Sequence, residues 1–299
     1  MQTAGEPWVD LKSLDEVWFQ VGGTLCNLSC AHCFISCNPS NKSFGFLTLE
    51  TVRRFLEESA ELGAKEYYFT GGEPFLNREL LSILEETLRW GPATVLTNGT
   101  AFRERLVREL SSIASASRYS LEIRVSIDGP SAETNDPIRG EGTFEAALQG
   151  VRLLSEASFL PIITMMQSWP DSETLEVLRA FTAELKRRGC ERPRFKILPA
   201  LRIGMEAKRT RGYRPDERVS AEMLEGYDVD QLICSHSRTV TDRGVAVCPI
   251  LIEAPGVHLG ATLREASRPF AVSRPACFTC YLFGSICTNV GSSTAGGDR

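Results

Sequence analysis

The fold of this protein is decided by the stretch Cys26-Asn27-Leu28-Ser29-Cys30-Ala31-His32-Cys33, which closely follows an apolar segment ending in Gly22-Gly23. Three thiolates separated by three and two residues can wrap one iron–sulfur cubane, because each sulfur binds a different iron. A [4Fe–4S] cluster normally has four such ligands, so a loop with three leaves one iron open, as a catalytic metal site requires. We predict metal ligation by Cys26, Cys30 and Cys33. Cys37 is the alternative fourth ligand of a closed electron-transfer cluster or a zinc site, and we interpret it as a bystander.

Strand and helix patterns alternate on the C-terminal side of this loop. Short apolar runs predict strands at 17–21, 67–70, 93–96, 121–127, 161–166 and 195–198. Amphipathic spacing predicts helices at 47–62, 78–90, 102–113, 143–156 and 172–188. Six strands alternating with helices of this length predict parallel βαβ units in an α/β sheet or barrel.

The amino-acid composition and net charge exclude several classes of protein. The chain has 299 residues, 42% of them hydrophobic and 24% charged, with a net charge of −5, which excludes a disordered chain or a fibre. The acidic balance argues against a general nucleic-acid or anionic-membrane binder. The longest apolar runs are far shorter than the ~20 residues of a membrane span, and the N-terminus lacks the pattern of a secretory signal. We therefore expect a cytoplasmic protein with no nucleic-acid partner and no membrane segment.

Four further segments follow predicted strands: Thr70-Gly71-Gly72-Glu73-Pro74, Thr97-Asn98-Gly99, Ser126-Ile127-Asp128-Gly129 and Asp136-Pro137-Ile138-Arg139-Gly140. Together with the cysteine loop they resemble the radical S-adenosylmethionine (SAM) enzymes, over residues 16 to about 200. The resemblance implies a partial (β/α)6 TIM-like barrel. It also implies that the open iron binds the amine and carboxylate of SAM, and that one electron then cleaves SAM to a 5′-deoxyadenosyl radical.

The resemblance carries SAM contacts onto particular residues: His32, Gly71, Gly72, Glu73, Asn98, Ser126, Asp128 and Arg139. The two glycines would let backbone carbonyls approach the SAM ammonium, Glu73 would supply negative charge, and Arg139 would pair with the SAM carboxylate. Each segment has a plainer reading as a turn or a surface charge. Their shared place at strand ends favours function, because parallel barrels carry their chemistry there.

The alternation in the fourth predicted strand indicates a polar barrel lumen. Glu122, Arg124 and Ser126 share one face of that strand, opposite an apolar face. A polar lumen is a cavity for substrate and cofactor. Lys196, in the sixth strand, is a candidate partner for a substrate carboxylate or phosphate, with a lysine extending to the surface as the equal alternative.

A second group of cysteines crowds the last quarter of the chain. Cys234, Cys248, Cys277 and Cys280 resemble the auxiliary-cluster extension of the SPASM and twitch subfamily, and Cys287 is a possible replacement for one of them. The alternative is a zinc ribbon built from the same residues. We predict a radical SAM core at 1–200, a connector at 201–230, a small auxiliary-cluster domain at 231–290 and a disordered tail at 291–299.

The resemblance implies a radical SAM oxidoreductase with two [4Fe–4S] clusters, one that binds SAM and one auxiliary cluster that accepts the substrate's electron. Its layout is most similar to the twitch-type alcohol dehydrogenases, so we expect a small-molecule substrate and an external one-electron donor such as flavodoxin or ferredoxin. A maturase acting on a ribosomally made peptide or protein is the alternative enzyme. A non-enzymatic iron–sulfur electron carrier is the alternative of a different class.

Overall fold

A computed structural model describes residues 5–284 and 286–287. The strands are β1 (Trp8–Val9), β2 (Glu16–Phe19), β3 (Glu66–Phe69), β4 (Ala93–Thr97), β5 (Leu121–Ser126), β6 (Ile162–Met166), β7 (Arg194–Leu198), β8 (Ser237–Thr241), β9 (Gly244–Ala246), β10 (His258–Gly260) and β11 (Phe270–Ala271). The α-helices are α1 (Leu49–Glu61), α2 (Leu80–Thr87), α3 (Glu104–Ser115), α4 (Ala132–Arg139), α5 (Thr143–Glu156), α6 (Thr174–Arg187), α7 (Gly204–Thr210), α8 (Leu263–Ala266) and α9 (Pro275–Phe283). The predicted tail at 291–299 lies outside the described residues.

One sheet organises the described part of the chain. Its strands lie in the order β10-β9-β8-β2-β3-β4-β5-β6-β7, and all neighbours from β8 to β7 are parallel. The run from β2 to β7 follows chain order, with at least one helix between consecutive strands. The six predicted strands and the five predicted helices are therefore confirmed, with boundaries shifted by a few residues.

The first crossover shows how local sequence produces this pattern. Thr48 caps α1, because its hydroxyl accepts a hydrogen bond from the Thr51 amide at 3.2 Å. The side chains that α1 buries recur at helical spacing: Val52, Phe55, Leu56 and Ser59. The same apolar core includes the aromatic residues of β2 and β3, where Trp18 stacks on Tyr68 with ring centroids 4.3 Å apart. Burial of this apolar stripe holds the crossover on the sheet.

The structure differs from the sequence prediction in two helices. Helix α4 was not predicted because Pro137 interrupts its pattern, and the capping box of Ser131 and Thr134 starts it nonetheless. Helix α7 lies in the segment predicted as a solvated connector. It buries Glu206, whose carboxylate accepts hydrogen bonds from Arg209 at 2.8 and 2.9 Å.

The parallel sheet also continues past the predicted end of the core. Strand β8 pairs with β2 in parallel register, with Ser237 opposite Glu16, and β9 and β10 extend this edge in antiparallel fashion. Residues of the predicted auxiliary domain thus share the sheet of the core, and the boundaries at 200 and 230 stay a prediction. No helix among the described residues has the length and apolar character needed to span a membrane.

Candidate active site

A cavity opens between the cysteine loop that follows β2 and the ends of the parallel strands β3 to β7. It contains about 1050 Å³ of space not filled by protein atoms, part of it open to solvent. The predicted site residues that line it are Cys26, Cys30, His32, Cys33, Gly71, Gly72, Asn98, Ser126 and Arg139. Glu73, Asp128 and Lys196 do not line it. The fold therefore brings segments more than 100 residues apart in sequence, such as those of Cys26 and Arg139, to one place, as the end of a parallel barrel does.

The cysteine loop presents its sulfurs to this cavity together with hydrogen-bond donors. The Leu28 amide donates to Cys26 Sγ at 3.4 Å, and the Cys37 amide donates to Cys33 Sγ at 3.2 Å. Such N–H donors stabilise thiolates and tune the metal groups that they bind. Among the described residues, no three His, Cys, Asp or Glu side chains are placed as ligands of a single metal ion.

The electrostatic surroundings of the three thiols differ. Burial raises the pKa of Cys26 to about 12 and also raises the pKa of Cys30. A hydrogen bond with the Cys37 side chain lowers the pKa of Cys33 to about 6. Cys37 itself is buried and lines the same cavity, so the sequence interpretation of Cys37 as a bystander stays a prediction.

The two glycines after β3 allow this segment to contact the cysteine loop. A Cβ on Gly72 would lie 2.0 Å from the Leu25 carbonyl oxygen, and one on Gly71 would lie 2.5 Å from the Gly22 Cα. The amides of Gly72 and Glu73 donate to the loop carbonyls of Gly23 and Leu25 at 2.9 and 3.0 Å. The glycines are thus required by backbone packing between two site segments.

Glu73 is completely buried, and its carboxylate accepts hydrogen bonds from three groups of the protein. One carboxylate oxygen accepts from the Thr97 hydroxyl at 2.7 Å and the Phe75 amide at 3.1 Å; the other accepts from the Asn98 amide at 2.8 Å. Burial raises the pKa of Glu73 above its ordinary value. Glu73 thus holds the end of β4, which places Asn98 in the cavity, and its predicted contact with SAM stays a prediction.

Asp128 also acts through its neighbours. Its carboxylate lies 2.5 Å from His32 Nε2 and 2.6 Å from Arg139 Nε, and it accepts from the Met166 amide at 2.7 Å. Burial opposes ionisation, but the charge of Arg139 and the hydrogen bond with His32 outweigh it and hold the pKa of Asp128 below its ordinary range. Asp128 therefore fixes His32 and Arg139 at the cavity wall, and the SAM contacts of all three residues stay a prediction.

Sequence reasoning missed several residues of the cavity wall, of which Thr164 is the most informative. Thr164 is buried in β6, and its hydroxyl has no hydrogen-bond partner in the described part of the chain. It lies between Ser126 and Lys196 in the sheet register. Thr164 is the one polar residue of Ile162–Met166, and its place on the lumen face follows from its register with Ser126.

The start of α7, at Gly204 and Met205, contacts the cysteine loop at Cys33 and Phe34. The Met205 amide donates to the Cys33 carbonyl at 2.9 Å. Gly204 has φ +58°, and a Cβ there would lie 2.3 Å from the Phe34 carbonyl oxygen. The positive φ and the close approach both require glycine at position 204. No local pattern predicts this contact, because it joins residues about 170 positions apart.

The interior of the barrel holds charged groups away from this cavity. Arg124 is buried in β5, lies over the Tyr68 ring at 5.2 Å and donates to the Cys287 carbonyl at 2.7 Å. Burial, reinforced by Arg124, lowers the pKa of Lys196 to about 8. The polar face predicted for the fourth strand is therefore present, and it reaches the cysteine-rich region through Arg124.

A second cavity gathers the C-terminal thiols. It contains about 350 Å³ of space not filled by protein atoms, part of it open to solvent, and its wall is apolar apart from Cys234, Cys248, Cys277 and Cys280. Cys277 and Cys280 lie one turn apart on α9, Cys234 precedes β8, and Cys248 follows β9. Burial raises the pKa of Cys234 to about 12 and of Cys248 to about 11. Cys287 is not among the residues that line this cavity.

Comparisons with known proteins agree with this architecture. The family model of the radical SAM superfamily matches residues 21–181. The chain is 37% identical over 136 residues to an AdoMet-dependent heme synthase of Methanosarcina barkeri, and the match covers 45% of this chain and 37% of that protein. It is 28% identical over 135 residues to the mycofactocin maturase MftC of Mycolicibacterium smegmatis, covering 45% and 33%. The chain thus matches only about a third of the length of these curated relatives.

Two solved structures share the fold. Streptococcus suis SuiB bound to the precursor peptide SuiA has a TM-score of 0.61 at 15% identity, over 84% of this chain and 63% of SuiB. Native anSMEcpe with bound AdoMet and the Cp18Cys peptide has a TM-score of 0.57 at 16% identity, over 84% and 79%. The predicted partial-barrel fold is confirmed, and the predicted family with it. The chain belongs to the radical SAM superfamily.

Proposed function

We propose that this protein is a radical SAM oxidoreductase whose [4Fe–4S] cluster is held by Cys26, Cys30 and Cys33. The observation that carries this assignment is the cavity that three thiols, from the loop after β2, share with the ends of the strands β3 to β7. Superfamily membership implies the cluster and SAM, and members of the superfamily act as enzymes. That argues against the alternative of a non-enzymatic electron carrier.

The residues present fit the implied group. Main-chain amides donate hydrogen bonds to the sulfurs of Cys26 and Cys33, which stabilises anionic sulfur ligands. Among the described residues the three thiols are not placed to bind one metal ion, and in a cubane each thiolate binds a different iron. When bound, the cluster and SAM supply one-electron cleavage of the sulfonium, which yields a radical able to abstract hydrogen. The protein binds and orients the reactants and excludes water.

Particular side chains would perform this positioning. The Asn98 amide Nδ2 lies 3.8 Å from Cys26 Sγ and donates to Asn27 at 2.8 Å, so it orders the cysteine loop. Arg139, held by Asp128, is the candidate partner of the SAM carboxylate. Ser126 and the unpartnered hydroxyl of Thr164 are neighbours in the sheet register and offer polar contacts in the same cavity.

We also propose an auxiliary [4Fe–4S] cluster at Cys234, Cys248, Cys277 and Cys280. Four sulfurs around one apolar cavity are enough to ligate all four irons. Such a cluster would accept the electron of the substrate radical and complete a two-electron oxidation. The ten cysteines are all free thiols, which favours a reducing cytoplasm and supply of electrons by flavodoxin or ferredoxin.

For the substrate, the relatives favour a peptide. SuiB and anSMEcpe were each solved with a peptide bound, and MftC is named a maturase. A small-molecule substrate, as expected from the sequence, is the second candidate. The similarity to an AdoMet-dependent heme synthase favours it.

The test is SAM cleavage by anaerobically purified protein reduced with dithionite. We expect 5′-deoxyadenosine from the wild type and none from the variant with Cys26, Cys30 and Cys33 replaced by alanine. That variant should lose about half of its iron, because one of two four-iron clusters is missing. Cys37→Ala is the matched control and should keep its iron and its activity. Cleavage by the triple variant would overturn the assignment of this loop.

A further inference from the structure

Arg238, the second residue of β8, has no exposed surface. Its guanidinium donates to four main-chain carbonyl oxygens: Cys234 at 2.7 Å, Ser237 at 2.7 Å, Ala266 at 2.8 Å and Arg268 at 2.8 Å. In the described part of the chain, no carboxylate forms an ion pair with it. Hydrogen bonds thus satisfy the donors of Arg238 while its charge is left without a carboxylate partner.

A buried charge of this kind is costly. Removing an ion from water is unfavourable even after the surroundings relax, and carbonyl dipoles compensate only part of the lost hydration. Arginine cannot escape by losing its proton, because its guanidinium stays charged in proteins. The buried charge of Arg238 therefore destabilises the folded chain, and a nearby anion would offset this effect.

The surroundings of Arg238 point to one place for that anion. Arg238 donates to the main-chain carbonyl of Cys234 at 2.7 Å, so its guanidinium lies against the segment that carries one of the four thiols. Cys234 lines the apolar cavity with Cys248, Cys277 and Cys280. Neutral thiols would leave Arg238 uncompensated, whereas thiolates bound to a metal group carry the missing negative charge.

We propose that Arg238 is the counter-charge of an anionic iron–sulfur cluster in this cavity, and that it raises the cluster's reduction potential. The inference rests on the auxiliary cluster of the proposed function. Reduction adds one electron, taken from dithionite or from a substrate radical, to a group that is already negative. A fixed cation nearby stabilises the reduced form more than the oxidised form, and net charge is one of the factors that set such potentials.

Two substitutions separate the charge of Arg238 from its hydrogen bonds. Arg238→Gln keeps N–H donors and removes the charge, whereas Arg238→Lys keeps the charge and loses the planar arrangement of donors. Arg268→Gln is the matched control, because the Arg268 side chain is exposed and its main-chain carbonyl stays in place as an acceptor. Each variant is made in the full chain with its clusters loaded.

The measurement is a dithionite titration of the C-terminal cluster followed by electron paramagnetic resonance. The variant lacking Cys26, Cys30 and Cys33 identifies its signal. We expect Arg238→Gln to lower the equilibrium constant for one-electron reduction at least tenfold, a shift of ~59 mV to more negative potential. Arg238→Lys and Arg268→Gln should stay close to the wild type.

The outcomes are distinct. An unchanged potential in Arg238→Gln overturns the inference. So does loss of the cluster from both Arg238 variants while Arg268→Gln retains it, because the carbonyl contacts would then be what matters. Zinc or no metal at the four cysteines of the wild type would instead remove the auxiliary cluster itself, and the redox role of Arg238 with it.

Discussion

Asp128 Oδ2 lies 2.6 Å from Nε of Arg139, and both side chains are almost completely buried. The pair joins the end of β5 to the last residue of α4, beside the cysteine loop. Because the same carboxylate contacts His32, two cavity residues depend on one buried charge. The buried carboxylate of Asp128 thus holds two residues of the cavity wall, although Asp128 itself does not line the cavity.

The first prediction concerns this pair. Arg139→Met or Asp128→Asn alone leaves one buried group without its partner, and each should lower the free energy of unfolding by about 3–5 kcal/mol. The double variant should lose less than the sum, because the two groups are coupled. Urea unfolding of the cluster-free protein measures the cycle. The exposed pair Arg105 and Glu109 is the control, and additive losses would show that Asp128 and Arg139 are uncoupled.

Glu73→Gln gives a second prediction. Three donors of the protein share its carboxylate, so the amide would place its own N–H groups against at least one of them. We expect a loss of stability of about 1–3 kcal/mol, together with weaker SAM binding as Asn98 loses its fixed position. Unfolding and SAM titration on the same samples check it. Weaker SAM binding at unchanged stability would support direct contact between Glu73 and SAM instead.

The third prediction concerns the contact between two backbone segments. Gly72→Ala would place a Cβ 2.0 Å from the Leu25 carbonyl oxygen, so the cysteine loop must move. We expect a destabilisation of about 1–3 kcal/mol and a loss of cluster iron. Gly63→Ala is the control, because Gly63 has φ +87° with no atom within 4 Å of its Cβ position and tests backbone strain alone. Full iron content in Gly72→Ala would contradict the packing role.

The auxiliary cluster leads to the fourth prediction. Cys248→Ala should lose the C-terminal cluster and some stability, because metal binding and folding are linked. The first cluster should survive, so SAM is still cleaved while oxidised product is not released. Cys190→Ala is the control, since Cys190 is buried and lies outside both cysteine cavities. Normal turnover by a folded Cys248→Ala protein without the cluster would remove the relay.

The last prediction concerns pH. Burial, together with the charge of Glu66, raises the pKa of Glu16 to about 8 from an ordinary value of 4.5. The folded protein therefore holds this proton between pH 4.5 and 8 while the unfolded chain has released it, and the contribution to stability falls as pH rises through that window.

Glu16→Gln cannot titrate and keeps an acceptor for the Trp18 indole N–H, which lies 3.3 Å from the wild-type carboxylate. Its stability relative to the wild type should therefore improve steadily from pH 4.5 to 8. Urea unfolding across this range is the measurement. Glu57→Gln, at an exposed position, is the control for the substitution itself. A parallel pH profile for Glu16→Gln and wild type would contradict the raised pKa of Glu16.

The sequence alone determined the family and the order of the core. The spacing of Cys26, Cys30 and Cys33 and the alternation of strands and helices are local patterns, because ligand spacing and apolar periodicity act between neighbours in the chain. They predicted the six core strands and a candidate site at their ends. They also selected the four C-terminal cysteines that the fold gathers around one cavity.

Only the tertiary structure decided which side chains face that site. The sequence predicts that Glu73 and Asp128 contact SAM. In the structure, the carboxylate of Glu73 accepts a hydrogen bond from the Asn98 amide, and that of Asp128 forms an ion pair with Arg139. Strand β8 joins the core through its pairing with β2, about 220 residues away. The burial of Arg238 likewise depends on carbonyls from separate segments. Burial and long-range hydrogen bonding depend on the folded arrangement, and no local pattern encodes them.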